Sequence, residues 1–355
     1  MNWYTKRIVE IWTRLENQNL NKYIFIDRNI LEAVAKTHAK NDFQIPNWRF
    51  DGVYPKHEWA FAAFQLFANC FNAHYNVFEK PDTKYTVVNP SDPAKSFAGA
   101  FAMDRTVYEH FGERILHAHD FAKHVKTPKA MAKFFGGIVP MPSPELKQEC
   151  GKDFIENLEL RYQGNPLNLL EETMTGDYRG RKAIRAFNNG KGLVEILVNE
   201  FGRAYRDVRC LEINGTINSL YFNKRAQLVA VMLHDRALDS NGILPLVEDI
   251  DEVGPIADYE LPKALRHLGI LKYSEELAEL VDNWRKVERG SQMEVEIRAA
   301  TVVACCELLK KLNSLRAEIF ERNYLLNICN LDFWLWKMGK DAKHLRPHLT
   351  RTSAY

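Results

Sequence analysis

The stretch from His57 to Tyr75 constrains the fold more than any other, because Trp59, Phe61, Phe64, Phe67 and Phe71 leave a helical run with almost no polar face. A helix that is apolar nearly all round has no side to offer to water, so it predicts a central element wrapped by other helices. Candidates for the wrapping follow from the rest of the chain. Tyr4, Ile8, Ile11 and Leu15 recur at spacings of four, three and four, one apolar stripe on a first helix, and a second helix is expected from about Ile30 to Ala39. From Leu261 to Lys340 the pattern is helical again, with Pro262 suited to a helix first turn and Gly269 to a helix end.

Extended structure is expected in two places. Between Glu79 and Ser96, Pro81, Pro90 and Pro93 surround Lys84-Tyr85-Thr86-Val87-Val88, which reads as loop, short strand, loop. Val208–Ile213 and Thr216–Leu220 flank Asn214-Gly215, a strong two-residue hairpin signal that leads into a helix beginning near Lys224. Pro347 to Tyr355 reads as a polar tail. With no repeat and no Gly/Ser-rich linker, the architecture expected is mainly α with one small β-hairpin insertion. It is taken as one helical domain over 1–355, or as two lobes, 1–160 and 161–355.

A formal net charge of +2 over 355 residues gives no electrostatic footprint for wrapping duplex nucleic acid, which argues against a polymeric substrate and leaves small anionic ligands open. The six cysteines contain no CxxC pair, which fits reduced thiols and a cytoplasmic location. The N-terminus opens an amphipathic pattern rather than a signal peptide, and no run of about 18 apolar residues predicts a membrane span.

Three charged motifs interrupt apolar helical patterns. Asp258 follows Gly254-Pro255 and stands at a helix start, where a carboxylate could stabilise a cationic sugar or activate water; a capping acid there stabilises a helix by about 0.3–1 kcal/mol with no function at all. Lys224 and Arg225 follow the hairpin and could hold a phosphate, or could snorkel at a helix rim. Glu294 and Arg298, four apart, read as a structural i,i+4 ion pair worth a few tenths of a kcal/mol on an exposed face. His117, His119, Asp120 and His124 are poor metal ligands, since residues two apart do not share a helical face, so no metal is expected. His234-Asp235 is weaker still, and there is no GxGxxG, P-loop or GxSxG.

Taken in order, Ala204-Tyr205-Arg206-Asp207-Val208, Tyr221 to Gln227, Ala257 to Ser274, Glu294 to Ala299, and Leu331-Asp332-Phe333-Trp334-Leu335-Trp336 resemble the queuosine salvage proteins, a family of queuosine 5′-phosphate N-glycosidases. The resemblance is clear from about Asn165 to Tyr355. It implies a DNA glycosylase-like helical fold and a cytosolic hydrolase, without a cofactor, that releases queuine from queuosine 5′-monophosphate. The family's loop aspartate falls on Asp258 and its post-hairpin lysine on Lys224. Tyr259 and Asp235 join them as substrate-binding candidates, with Arg225, His348 and Arg351 as phosphate ligands. Asn69, Phe71, His74 and Tyr75 are candidates for stacking on the base and reading its edge, although Phe71 and Tyr75 could equally pack in the core. Where the family continues the lysine helix as Val-Ala-Asp-x-Trp, this chain has Val229-Ala230-Val231-Met232-Leu233, with Asp235 about one turn on. That departure keeps two alternatives open: a relative acting on another nucleotide or on a modified base in nucleic acid, and a binding protein without activity.

Overall fold

A computed structural model describes residues 1–355 except 90, 91, 93, 94, 179 and 321–323. The chain is about 51% helical, and its strands are short. It divides into two compact units built from interleaved segments: residues 1–46, 207–224 and 250–350 form the first, and residues 47–206, 225–249 and 351–355 the second. Residues 160 and 161 lie inside one segment of the second unit.

In the first unit the longest helix, Gln292–Ile319, is buried from Glu294 to Cys305, where Val295, Ile297, Ala299, Val302 and Val303 are core residues. The amphipathic helices Trp3–Asn17 and Arg28–His38 pack against it, presenting Ile8, Ile11, Leu15, Leu31 and Ala35. Asn2 and Asp27 cap these two helices by accepting backbone N–H bonds with their side chains. Helix Glu260–His267 packs on Ile328–Asp341, close enough that Gly339 has no room for a Cβ beside the Glu260 carbonyl. The hairpin forms as expected, Val208–Ile213 against Thr216–Tyr221, with Asn214 and Gly215 at φ +50° and +76° as a type I′ turn demands.

The Leu261–Lys340 region is less uniform than its helical pattern. After Gly269, at φ +76°, a strand Leu271–Tyr273 pairs antiparallel with Ile24–Ile26, and helices resume at Glu275–Asp282. Three-residue strands have too little sequence for their period to stand out from a helical one.

In the second unit the aromatic helix is central, as its composition requires, but shorter. It runs Glu58–Ala68, nine-tenths of it buried, with Phe67 stacked on Phe121 at 4.7 Å and edge-on to Phe154 at 5.0 Å. Asn69 ends it: its Nδ2 donates to the Gln65 carbonyl at 3.1 Å, so the side chain shares an acceptor with the helical backbone. Asn69–Phe71 is a 3-10 turn, and His74, at φ +46°, and Tyr75 lie beyond any helix. Strands Lys80–Lys84 and Thr86–Val88 occupy the proline-rich break, with Pro90 and Pro93 outside the described residues.

Pro347–Tyr355 is not a solvent tail. His348, Leu349 and Thr350 are buried in the first unit, Thr352, Ala354 and Tyr355 in the second. Among the described residues no helix is long and apolar enough to cross a membrane, and all six cysteines are free thiols.

Candidate functional site

Ile256, Ala257 and Asp258 form a short loop in the first unit that is held at every residue. Two tight turns shape it: Ala257 N–H donates to Pro255 O at 3.0 Å and Asp258 N–H to Ile256 O at 2.6 Å. Ile256 N–H donates to Asp332 Oδ1 at 3.2 Å, and Arg298 Nε–H to Ala257 O at 3.2 Å. The Asp258 carboxylate then caps the following helix, its Oδ1 accepting from Glu260 N–H at 2.7 Å and Leu261 N–H at 3.1 Å. Among the described residues no hydrogen bond reaches its Oδ2. Capping therefore fixes the carboxylate and leaves one oxygen for chemistry.

The electrostatics of this carboxylate are a balance. Burial pushes its proton affinity above that of an ordinary aspartate; Lys224 opposes that rise, Glu260 adds to it, and the two backbone N–H bonds oppose it again. Lys224 is itself 3% exposed and opens helix Lys224–Leu238 directly after the hairpin. Asp207 and Asn223 deliver it there: Phe222 N–H donates to Asp207 O at 2.9 Å, and Asp207 N–H to Asn223 Oδ1 at 3.1 Å. Tyr259 stays protonated, because burial first and then Glu260 and Asp258 push its phenol well above the usual value.

Glu294, Glu296 and Arg298 correct the expectation of an exposed i,i+4 pair. All three are fully buried and each hydrogen-bonds a different partner, while the Arg298 charge also helps hold the Glu294 carboxyl below its usual range. Glu294 accepts both Oε contacts from Arg209 Nε, at 3.0 and 2.9 Å, and the Gly290 N–H. Glu296 accepts the N–H groups of Lys22, Tyr23 and Ile24 at 3.0, 2.7 and 3.1 Å. Arg298 forks onto the Asp207 carboxylate, with Nη1 2.9 Å from Oδ1, and lies 4.0 Å over the Phe222 ring. Charges buried this deeply persist only when paired and hydrogen-bonded. Glu260 lies among Lys263, at 3.5 Å, and Lys340, at 3.9 Å. His348 is buried near the same cluster, its imidazole pushed down to about 4 by burial, with Glu294 opposing and Arg298 reinforcing the drop.

The expected residues of the second unit sit in a different setting. Asn69 Nδ2 donates to Gln65 Oε1 at 2.8 Å, and its Oδ1 accepts from Asn72 at 3.0 Å. Tyr75 donates to Asn72 Oδ1 at 3.1 Å, and Phe71 packs edge-on to Phe135 at 5.4 Å, so both take their places in the core. His74 stacks on Phe78 at 4.3 Å and its N–H donates to Tyr355 O at 2.9 Å. Arg225 points its guanidinium at the Cys70 and Arg203 carbonyls, which gives it a structural part to play. Arg351 pairs with Glu145 at the surface. Asp235, 2% exposed, accepts from the Trp48 indole N–H at 2.9 Å. Asp120 accepts from His117 N–H in a capping box, and among the described residues no three His, Cys, Asp or Glu side chains are placed to hold a metal ion.

The sequence pattern assigned Asp207 and Asp332 no role and Arg298 only an ion pair with Glu294. The available signal was a charge inside an apolar helical run, which must be paired if the helix is buried.

A rigid, half-capped carboxylate with raised proton affinity beside a buried lysine defines a class of site, one able to stabilise positive charge or move a proton in a largely desolvated setting. The chain belongs to the queuosine salvage protein family, whose model matches residues 58–355. Among its relatives is the queuosine 5′-phosphate N-glycosylase/hydrolase of Sphaerobacter thermophilus, 33% identical over 190 residues, 53% of this chain and 54% of that protein. The mouse protein of the same name is 30% identical over 226 residues, covering 61% of this chain and 60% of its own length, and that of Dictyostelium discoideum 28% identical over 221 residues, covering 61% and 64%. The chain thus matches between half and two thirds of the length of these curated relatives.

Proposed function

We propose that this protein hydrolyses the N-glycosidic bond of queuosine 5′-monophosphate, or of a closely related modified 5′-mononucleotide, in the cytosol, on a DNA glycosylase-like helical fold. Family membership and the names of the relatives support the reaction class. The observation that carries it to a mechanism is the Asp258 carboxylate, anchored through Oδ1 with Oδ2 left over.

Cleavage at the anomeric carbon passes through an oxocarbenium-like state. Asp258, ionised, faces that developing charge through Oδ2, and water adds to the anomeric carbon as the bond to the base nitrogen breaks. The hydroxyl goes to the sugar and a proton to the base, giving ribose 5-phosphate and free queuine. Lys224 opposes the rise in Asp258 proton affinity that burial brings and is assigned to the 5′-phosphate. Tyr259 and His348 are assigned to the substrate side of the same cluster. Asp235, whose carboxylate accepts from the Trp48 indole N–H, keeps its sequence-based assignment to the base, as do Asn69, Phe71, His74 and Tyr75.

The test is incubation with a panel of 5′-mononucleotides that includes queuosine monophosphate, followed by mass spectrometry of the free base. Queuine should appear from the monophosphate far faster than from the nucleoside, because charge-assisted bonds to phosphate are about twice as strong as neutral ones. Equal kcat/KM for the two, or no base released from any member, refutes the reading.

A further inference from the structure

We infer that Arg298 is the positioning residue of this site, setting the Asp258 carboxylate through the Ala257 peptide rather than by its charge. The inference rests on the reaction proposed above. Every nitrogen of the Arg298 guanidinium has a fixed use: Nη1 and Nη2 on Asp207, Nε on the Ala257 carbonyl. Asp207 also closes the base of the hairpin that delivers Lys224. One rigid ion pair therefore ties together the backbone entering Lys224 and the backbone entering Asp258. The Phe222 ring, 4.0 Å below the guanidinium, removes the remaining freedom.

Among the described residues, Arg298 is the charged side chain of the long helix that bonds to this loop, and its guanidinium forks onto Asp207. Its loss should let the Asp258 loop shift while leaving the proton affinity of Asp258 to Lys224, Glu260 and burial. Lysine cannot replace it, because a single ammonium cannot fork onto a carboxylate and reach a carbonyl on another segment at once. Displacements of about 1 Å in a preorganised site cost on the order of a hundredfold in rate.

The experiment compares kcat, KM and the acid limb of the pH profile for wild type, Arg298→Lys, the uncharged pair Asp207→Asn/Arg298→Gln, and each of these with Asp258→Asn. The pair serves if Arg298→Lys fails to fold, since it leaves no unpaired buried charge. Expected is a loss of about ten- to a hundredfold in kcat, little change in KM, an acid limb at the wild-type pH, and at most about a twofold further loss in the Asp258→Asn background, as expected of residues acting as a unit. A folded Asp207→Asn/Arg298→Gln protein with wild-type kcat overturns the inference, and so does an equal loss with and without Asp258. Failure of the underlying reaction is distinguishable, because wild type would then release no base.

Discussion

The loop at Asp258 and the turn after the aromatic helix at Asn69 both bring polar side chains into a nearly waterless interior, and they use them in opposite ways. At Asn69, amide bonds to amide and phenol bonds to amide, so that Gln65, Asn69, Asn72 and Tyr75 bond to one another, with Gln65 Nε2 left over. At Asp258, charged side chains reach out to backbone: Arg298, Asp332 and Asp258 itself hold the loop and the helix start, and one carboxylate oxygen is left over. A polar group bonded to neutral neighbours stabilises a turn. A pinned ion with spare valence, whose charge burial opposes, stores free energy that a reaction can draw on.

The sharpest way to break this contrast is to unpair the charges. Arg209→Met leaves Glu294 buried without its guanidinium, and should lower unfolding free energy by about 3–5 kcal/mol in urea titrations. A loss below about 1 kcal/mol would mean that the ion network is far more solvated than its burial implies.

Each region also contains a histidine kept neutral by burial: His348 near Glu294 and Arg298, and His234 in the second unit, both pushed down to about 4. The unfolded chain binds a proton near pH 6.5 that the folded protein refuses. Stability is therefore complete above that pH and falls as pH drops toward 4, by up to about 3 kcal/mol for each histidine. Urea midpoints from pH 7 to 4.5 should show the fall, and His234→Gln or His348→Gln should flatten it. A flat wild-type profile would contradict the buried, neutral assignment.

The next contrast is between Asn69→Ala and Asp258→Asn. Removing Asn69 orphans Gln65 and Asn72 partners and should cost about 1–3 kcal/mol. The Asp258→Asn amide keeps an oxygen for the two capping N–H groups and removes a charge that burial disfavours, so its stability should equal wild type within about 1 kcal/mol. If Asn69→Ala is neutral and Asp258→Asn strongly destabilising, the roles assigned to the two regions are exchanged. The smallest effect is a shift in the acid limb of kcat, which follows ionisation of Asp258. Lys224→Met removes an opposing charge and should move that limb to higher pH, and Glu260→Gln should move it lower.

Much of this could be read in the chain. The first two helices, the Asn214-Gly215 hairpin and the central aromatic helix follow from local patterns that packing preserved. Asp258 and Lys224 stood out through family resemblance, because a capping acid and a reacting acid look alike in one sequence. The end of the aromatic helix did not stand out, since it depends on Asn69 taking the Gln65 carbonyl, and aromatic spacing is the same in a core as in a base pocket. Arg298 was hidden for another reason. Its i,i+4 relation to Glu294 offered a local partner, while burial and a distant Asp207 added the one it forks onto.

The most direct test of the account is turnover of queuosine 5′-monophosphate by Asp258→Asn protein whose unfolding transition matches wild type. The account predicts queuine release slowed by about two to four powers of ten, the scale for losing a preorganised charge or a catalytic acid–base group. Wild-type turnover by the folded variant would contradict it.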